Sequence, residues 1–417
     1  MPSWRIAVHS IVVMADDDTP SDPLGGLPFF GDLSKLFAAS GGGVPWDAAR
    51  QLAIGVATGG TSEPNVDPVE RQALAELSRI AELHVARASR LTVAHASGSP
   101  VLVPMTRAQW AAQTLADYRG YLSALGGHLA GGPAAEPAPD EPADPVSQLF
   151  GGLMKMIGPS MAAMTAGSLV GQLAQRSLGA YDMPLPRGEV SEHRTEIPVV
   201  APNLATFARE WSLPGEDLRL WVCLHELTLH TVLGLPHVHS RMAGLVTEFV
   251  EGFRTGDPTV LEGRLGELEL SPEAQPEDVQ RQLQSVFGDP EVLLGAIRSP
   301  GQDATQQRLQ ALVDVLVGFV DHVIDEAGEG LIASQRQLCE ALRRRRVTAG
   351  VADTFTERLL GLELSHSSVE RGQSFVAGVL ERAGELGLDR LWSSEDSLPT
   401  PNEVDAPGLW LARIEYE

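Results

Sequence analysis

The chain has 417 residues and a formal net charge of −24, and 43% of its residues are hydrophobic. This length allows two or three domain-sized units or one large helical body, and the acidity argues against a nucleic-acid partner because phosphate groups would be repelled. Two cysteines, Cys223 and Cys339, are too few for a disulfide framework, so we expect a cytoplasmic protein. No run of eighteen apolar residues occurs, so we expect no membrane partner.

The N-terminus carries little information about the fold. Residues 1–25 are predicted to form a disordered N-terminus, since the stretch after Met14 is rich in Asp, Pro and Gly. Residues 1–13 are interpreted as the product of an upstream start, because Met14 opens an acidic segment of its own.

Residues 26–130 are predicted to form an N-terminal helical region. Asp67-Pro68 supplies an N-cap and a first-turn proline to a segment whose apolar residues recur at intervals of three and four. Thr106 and Gln109 have the spacing of a capping box at the start of a further helix. The segment 131–145 is rich in Pro, Ala and acidic residues and is predicted to be a linker or a long loop.

Residues 146–417 are predicted to form a second, larger helical domain. Within 149–186, Gly167 and Gly171 lie four apart and are expected to let another helix pack closely. The stretch HRTEIPVV at 193–200 is the one convincing strand signal. The basic run at residues 343–346 ends a predicted helix and is interpreted as a solvated, dipole-complementing face. The predicted fold is therefore mainly α, with at most a small β element.

One helix of this domain carries the sequence LHELTLH at residues 224–230. It resembles the zinc-peptidase pattern H-E-x-x-H, in which two histidines four apart face one metal ion. Here Leu229 stands at the fourth position and His230 follows one residue later, about 140° around a regular helix from His225. Both histidines could reach one ion only if the helix contained a π-bulge, a rare feature that is often functional.

If this helix binds zinc, His225 and His230 are its candidate ligands. Glu226 would then be the catalytic general base acting on a zinc-bound water. Asp321, on a later helix, is the candidate third ligand. Asp325 could orient a metal-ligating histidine through a hydrogen bond. For Asp321 and Asp325, the alternative interpretation is a polar stripe on an amphipathic helix. For the two histidines and Glu226, it is a hydrogen-bonded remnant without metal.

Two glutamates are alternative third ligands. Glu248 and Glu251 follow His230 by 18 and 21 residues on the next predicted helix, close to the spacing in thermolysin-like zincins. Solvated surface is the alternative interpretation for both. The third ligand is left open among Asp321, these two glutamates and none.

Several segments resemble an actinobacterial group of zincin-like, zinc-dependent metallopeptidases. The segments that carry this resemblance are PFFGDLSKLF (28–37), GSLVGQLAQRSLGAYDMPLPR (167–187), LWVCLHELTLHTVLGLPHV (220–238), VGFVDHVID (317–325) and LGLELSHSSVERGQSFVAGVLERAGE (360–385). The spacing H-E-x-x-x-H is also similar to that of dipeptidyl peptidase III. The resemblance implies a zincin-like helical fold, a zinc cofactor, and a peptide or protein substrate.

The chain departs from the zincin pattern at two positions. Leu229 replaces a histidine, and Val317-Gly318 stands where related proteins carry a glutamate ahead of a glycine as a candidate third ligand. Two hypotheses therefore remain. The chain is a zinc-dependent metallopeptidase with a variant helix, or it is an inactive pseudo-zincin that serves as a scaffold for a protein partner.

Overall fold

The computed structural model describes residues 44–93, 98–129, 145–188, 195–253, 301–347 and 356–416. The predictions for residues 1–25, for the segment 28–37 and for the linker up to residue 144 lie outside these ranges.

The described residues are mainly α-helical, as the sequence predicts, and they contain two short strands. The helices are α1 (Trp46–Thr58), α2 (Pro68–Ser89), α3 (Arg107–Asp117), α4 (Arg119–Leu129), α5 (Pro145–Arg176), α6 (Ala201–Glu210), α7 (Gly215–Leu233), α8 (Pro236–Glu251), α9 (Gln302–Gly328), α10 (Gln335–Val347), α11 (His366–Leu388), α12 (Pro401–Val404) and α13 (Pro407–Tyr416). The strands are β1 (Val101–Met105) and β2 (Glu196–Val200).

Two helix starts are confirmed in atomic detail. The Asp67 carboxylate accepts a hydrogen bond from the backbone N–H of Val69 at 2.8 Å, so it caps α2. Thr106 and Gln109 form a reciprocal capping box at the start of α3. Both caps satisfy backbone donors that the first turn of a helix leaves without partners.

Strand β1 corrects the prediction that this part of the chain is helical. It pairs in parallel with β2, in a register that runs from Val101 opposite Glu196 to Met105 opposite Val200. The run is only five residues long and its pairing partner lies far away in sequence, so the local pattern alone did not separate a strand from a buried helix segment. On the outer edge of β1, the N–H of Leu102 donates to the hydroxyl of Ser78 on α2 at 3.0 Å.

The small residues of α5 let α1 pack closely against it, as predicted. A Cβ atom added at Gly167 would lie 2.5 Å from the carbonyl oxygen of Ala49, and one at Gly171 would lie 2.6 Å from Cβ of Val56. Helix α1 precedes the predicted linker and α5 follows it. The described residues from Val44 onward belong to one compact unit.

Helices α9 and α11 cross almost backbone to backbone. A Cβ atom at Gly318 would lie 2.2 Å from the carbonyl carbon of Gly372, and one at Gly372 would lie 1.8 Å from the carbonyl oxygen of Asp314. Helix α7 packs against α9 and α2, and its buried residues include Val222, Leu224 and Leu227. Because the crossing with α11 sets the position of α9, it also sets which side chains of α9 face α7.

Among the described helices, none combines the length and the hydropathy that crossing a bilayer requires.

Substituting Gly372→Ala should destabilise the protein by at least about 2 kcal/mol, because the new methyl group meets backbone that cannot move aside. The free energy of unfolding, from denaturant titration, measures this. Gly244→Ala is the matched control: it lies on an exposed part of α8 with no atom within 4 Å of the added Cβ. That control should stabilise the protein by about 0.5–1 kcal/mol. Equal effects of the two substitutions would contradict the close crossing.

Candidate functional site

Helix α7 carries the motif on two different faces. The helix is α-helical throughout from Gly215 to Leu233, so the π-bulge that would turn His230 back toward His225 is not formed. His225 and Leu229 are four apart and share one face, while Glu226 and His230 are four apart and share the next. The two histidines are thereby directed to different surroundings.

The first face lines a cavity of about 130 Å³. Trp221, His225 and Leu229 contribute from α7, and Val317 and Asp321 contribute from α9. The rings of Trp221 and His225 stack, with centroids 4.9 Å apart and planes inclined by 19°. This stacking holds the imidazole at the cavity wall in one orientation.

The second face is occupied by a buried carboxylate. Glu226 is 1% exposed, and its Oε2 atom accepts the backbone N–H groups of Ala180 at 2.7 Å and Tyr181 at 3.0 Å. The fit is tight, since a Cβ atom at Gly179 would lie 2.3 Å from the Glu226 carboxyl carbon. Hydrogen bonds from backbone amides to a carboxylate are strong, and here they bind residues 177–187 to α7.

The other oxygen of Glu226 lies beside His225. Oε1 is 3.0 Å from Nδ1 of the imidazole. Because an ionised carboxylate only accepts hydrogen bonds, Nδ1 is the nitrogen that donates to it, and Nε2 is the ring nitrogen left for a group in the cavity.

His230 belongs to the second face. Its Nδ1 atom lies 3.0 Å from the hydroxyl oxygen of Tyr181, and it is not among the residues that line the His225 cavity. Burial raises the pKa of Tyr181 above its ordinary value, so the phenol stays protonated. The structure therefore brings His225 and Asp321 to one cavity and places His230 elsewhere.

An ion pair on the cavity wall was missed by sequence reasoning. Arg345 of α10 donates to Asp182 at 2.7 Å, and the N–H of Leu178 donates to the same carboxylate oxygen at 3.0 Å. Burial by itself would raise the pKa of Asp182, but the adjacent Arg345 outweighs it and holds that pKa below its ordinary value. Arg345 belongs to the basic run that we interpreted as a solvated face, and nothing in its local sequence indicates a partner 163 residues away.

The remaining candidate ligands have other partners. Asp321 accepts from Gln373 at 2.9 Å, and Asp325 accepts from Gln335 at 3.1 Å. Glu248 binds Thr305 and Arg308, each at 2.6 Å, and the Thr305 hydrogen bond is the largest cause that lowers its pKa. Neither Glu248 nor Glu251 lines the His225 cavity.

The donor set around His225 does not fit a zinc site of the zincin type. Leu229 stands where H-E-x-x-H has its second histidine, and both Leu229 and Val317 line the cavity with hydrocarbon. Within the described ranges, no group of three metal-ligating side chains within 4.8 Å of one another includes His225 or His230. Such a site needs three protein ligands that converge on one ion.

The fold and the histidine–glutamate helix define a zincin-like protein. The chain belongs to the zincin-like metallopeptidase family, whose model matches residues 44–411. Zinc is the cofactor that this family implies. A crystal structure of a candidate hydrolase with a novel fold from Chloroflexus aurantiacus is also similar, with a TM-score of 0.56 and 23% identity over 89% of this chain and 99% of that one. At this identity the likeness shows the fold alone. A comparison with curated proteins finds no match.

Replacing Glu226 should separate a structural carboxylate from a catalytic one. Glu226→Ala leaves two buried N–H groups without acceptors and should cost about 3 kcal/mol of unfolding free energy. Glu226→Gln keeps one carbonyl oxygen for those donors and should cost about 1 kcal/mol. Denaturant titration of both variants checks this. Equal stability of Glu226→Ala and the parent protein would contradict the role we assign to the carboxylate.

Proposed function

We propose that this chain is a catalytically inactive member of the zincin-like family, which uses the His225 cavity to bind a protein partner. The observation that carries the proposal is the position of Glu226. The carboxylate that a zincin would use as general base is bound instead to the backbone N–H groups of Ala180 and Tyr181.

A general base must lie within hydrogen-bond reach of the proton that it removes. Both oxygens of Glu226 are already engaged, Oε2 by two backbone amides and Oε1 by His225. To reach a water in the cavity, the carboxylate would have to break charge-assisted bonds and leave buried donors without partners. These contacts support a structural role for Glu226 rather than a catalytic one.

The cavity walls support the same conclusion. Leu229 and Val317 have no lone pair to offer to a metal ion. On the α7 side of the cavity wall, His225 is the residue that contributes an imidazole. Restoring a zinc site would require new ligands at these positions.

The cavity retains features that suit a binding role. Its wall combines the apolar surfaces of Trp221 and Leu229 with the Asp182–Arg345 ion pair and the imidazole of His225. An apolar side chain next to a hydrogen-bond donor would complement such a wall, and a peptide segment of a partner protein offers both.

Zinc-dependent hydrolysis of a peptide is the second candidate function. It is favoured by membership of the family and by the shared cavity of His225 and Asp321. In that case these two side chains would hold zinc, which would polarise the scissile carbonyl, and Asp321 would have to release Gln373.

The zinc content of purified protein, before and after restoring the missing ligands, tests the proposal. Wild type and His225→Ala should contain the same amount of zinc, because no ion is held through His225. The double variant Leu229→His, Val317→Glu should gain about one further zinc per chain, the stoichiometry of a site with three protein ligands. Adding His225→Ala to that variant should remove the extra zinc.

Zinc that wild type holds and His225→Ala loses would overturn the proposal and support the hydrolase. In that event, peptidase activity of wild type beside Glu226→Gln would show whether Glu226 is its base.

A further inference from the structure

A second group of metal-ligating side chains lies between α9 and α11, away from the His225 cavity. His322 and Glu326 are four apart on α9, and Glu385 faces them from α11. One ligand atom from each of the three lies within 4.8 Å of the other two. None of the three lines the cavity of His225.

The imidazole of His322 has no hydrogen-bond partner for its Nε2 atom among the described residues, although that atom is inaccessible to solvent. Its separations from Glu326 Oε2 and Glu385 Oε1 are 4.0 Å and 3.8 Å, which are too long for hydrogen bonds. A buried nitrogen without a partner costs free energy, whereas a cation between these atoms would satisfy it. The buried Nε2 atom therefore faces two carboxylates without a hydrogen bond to either.

The distances suit a shared ion. Metal bonds of about 2.0–2.2 Å to nitrogen and oxygen place two ligand atoms of one ion about 3–4 Å apart. Small rotations of the two glutamate side chains are enough, because both are partly exposed.

The backbone of α11 changes direction immediately before Glu385. Gly384 has φ 62° and ψ −164° inside an otherwise helical run, a conformation that residues with a side chain rarely adopt. The residues after this break start a new helical segment, and Glu385 is the first of them. The break therefore sets the position of the ligand that α11 contributes.

We propose that His322, Glu326 and Glu385 form a divalent-cation site that ties α9 to the end of α11. One imidazole and two carboxylates match a borderline ion such as Zn²⁺ better than Mg²⁺, which prefers oxygen ligands and retains its waters. The two carboxylates neutralise the charge of the ion, and three protein ligands leave further positions for water. Such an ion would hold the segment of α11 that follows the break at Gly384 against α9.

Zinc binding to the full chain, stripped of metal beforehand with a chelator, tests the site. Isothermal titration with ZnCl₂ should show about one site in wild type, and Tm should rise with zinc. His322→Ala should weaken zinc binding by at least about 100-fold, since loss of a supporting hydrogen bond alone costs 10–100-fold. Glu385→Gln is nearly isosteric, and it should weaken binding in the same direction even if His322→Ala folds poorly. MgCl₂ should have little effect.

The matched control is His366→Ala. His366 and Glu370 of α11 have the same spacing of four and lie 3.2 Å apart, but both are exposed and the described residues supply no third ligand there. This variant should bind zinc as wild type does, and so should His225→Ala.

No zinc binding by wild type, or binding that His322→Ala and Glu385→Gln leave unchanged, would overturn this site. Loss of that binding in His225→Ala would instead place the ion in the cavity and overturn the inactive assignment as well.

Discussion

The contact of the Glu226 carboxylate with the backbone of Ala180 and Tyr181 is the interaction on which the rest of the site depends. It binds residues 177–187 to α7, and this segment supplies two further contacts, from Tyr181 to His230 and from Asp182 to Arg345. It also supplies part of the cavity wall. A single buried carboxylate thus organises both faces of the helix, and its desolvation is offset by strong amide donors.

Because of the same contact, the motif residues are arranged differently from those of the zinc helix that the sequence suggests. In a zinc helix, both histidines and the glutamate act on one ion. On the regular helix α7, His225 and Leu229 form a cavity wall, whereas Glu226 and His230 form a structural contact. The close crossing at Gly318 and Gly372 then holds α9 so that Val317 and Asp321 complete the wall. Leu229 and Val317 make two positions of this wall apolar.

The sequence predicts local features of this molecule well and distant contacts poorly. The caps at Asp67 and Thr106 depend on neighbouring residues, and the small residues at Gly167 and the apolar run of β2 are local patterns, so these features could be predicted. The pairing of β2 with β1 and the Arg345 ion pair could not, because the partners lie far apart along the chain. The motif predicts the residues of the site, but helix geometry alone cannot predict that the backbone near Ala180 would bind Glu226. Likewise, Glu385, which directly follows the helix break at Gly384, approaches His322 from a different helix.

Hydrogen–deuterium exchange of the amides of Ala180 and Tyr181, measured with and without excess zinc, shows whether Glu226 stays bound to this backbone. If Glu226 is a structural acceptor, both amides exchange slowly, and zinc leaves their rates unchanged even where it binds elsewhere on the chain. Exchange should accelerate in Glu226→Ala and much less in Glu226→Gln. Rapid exchange in the parent protein, or acceleration when zinc is added, would contradict the account, because it would mean that the carboxylate leaves the backbone for a metal-bound water.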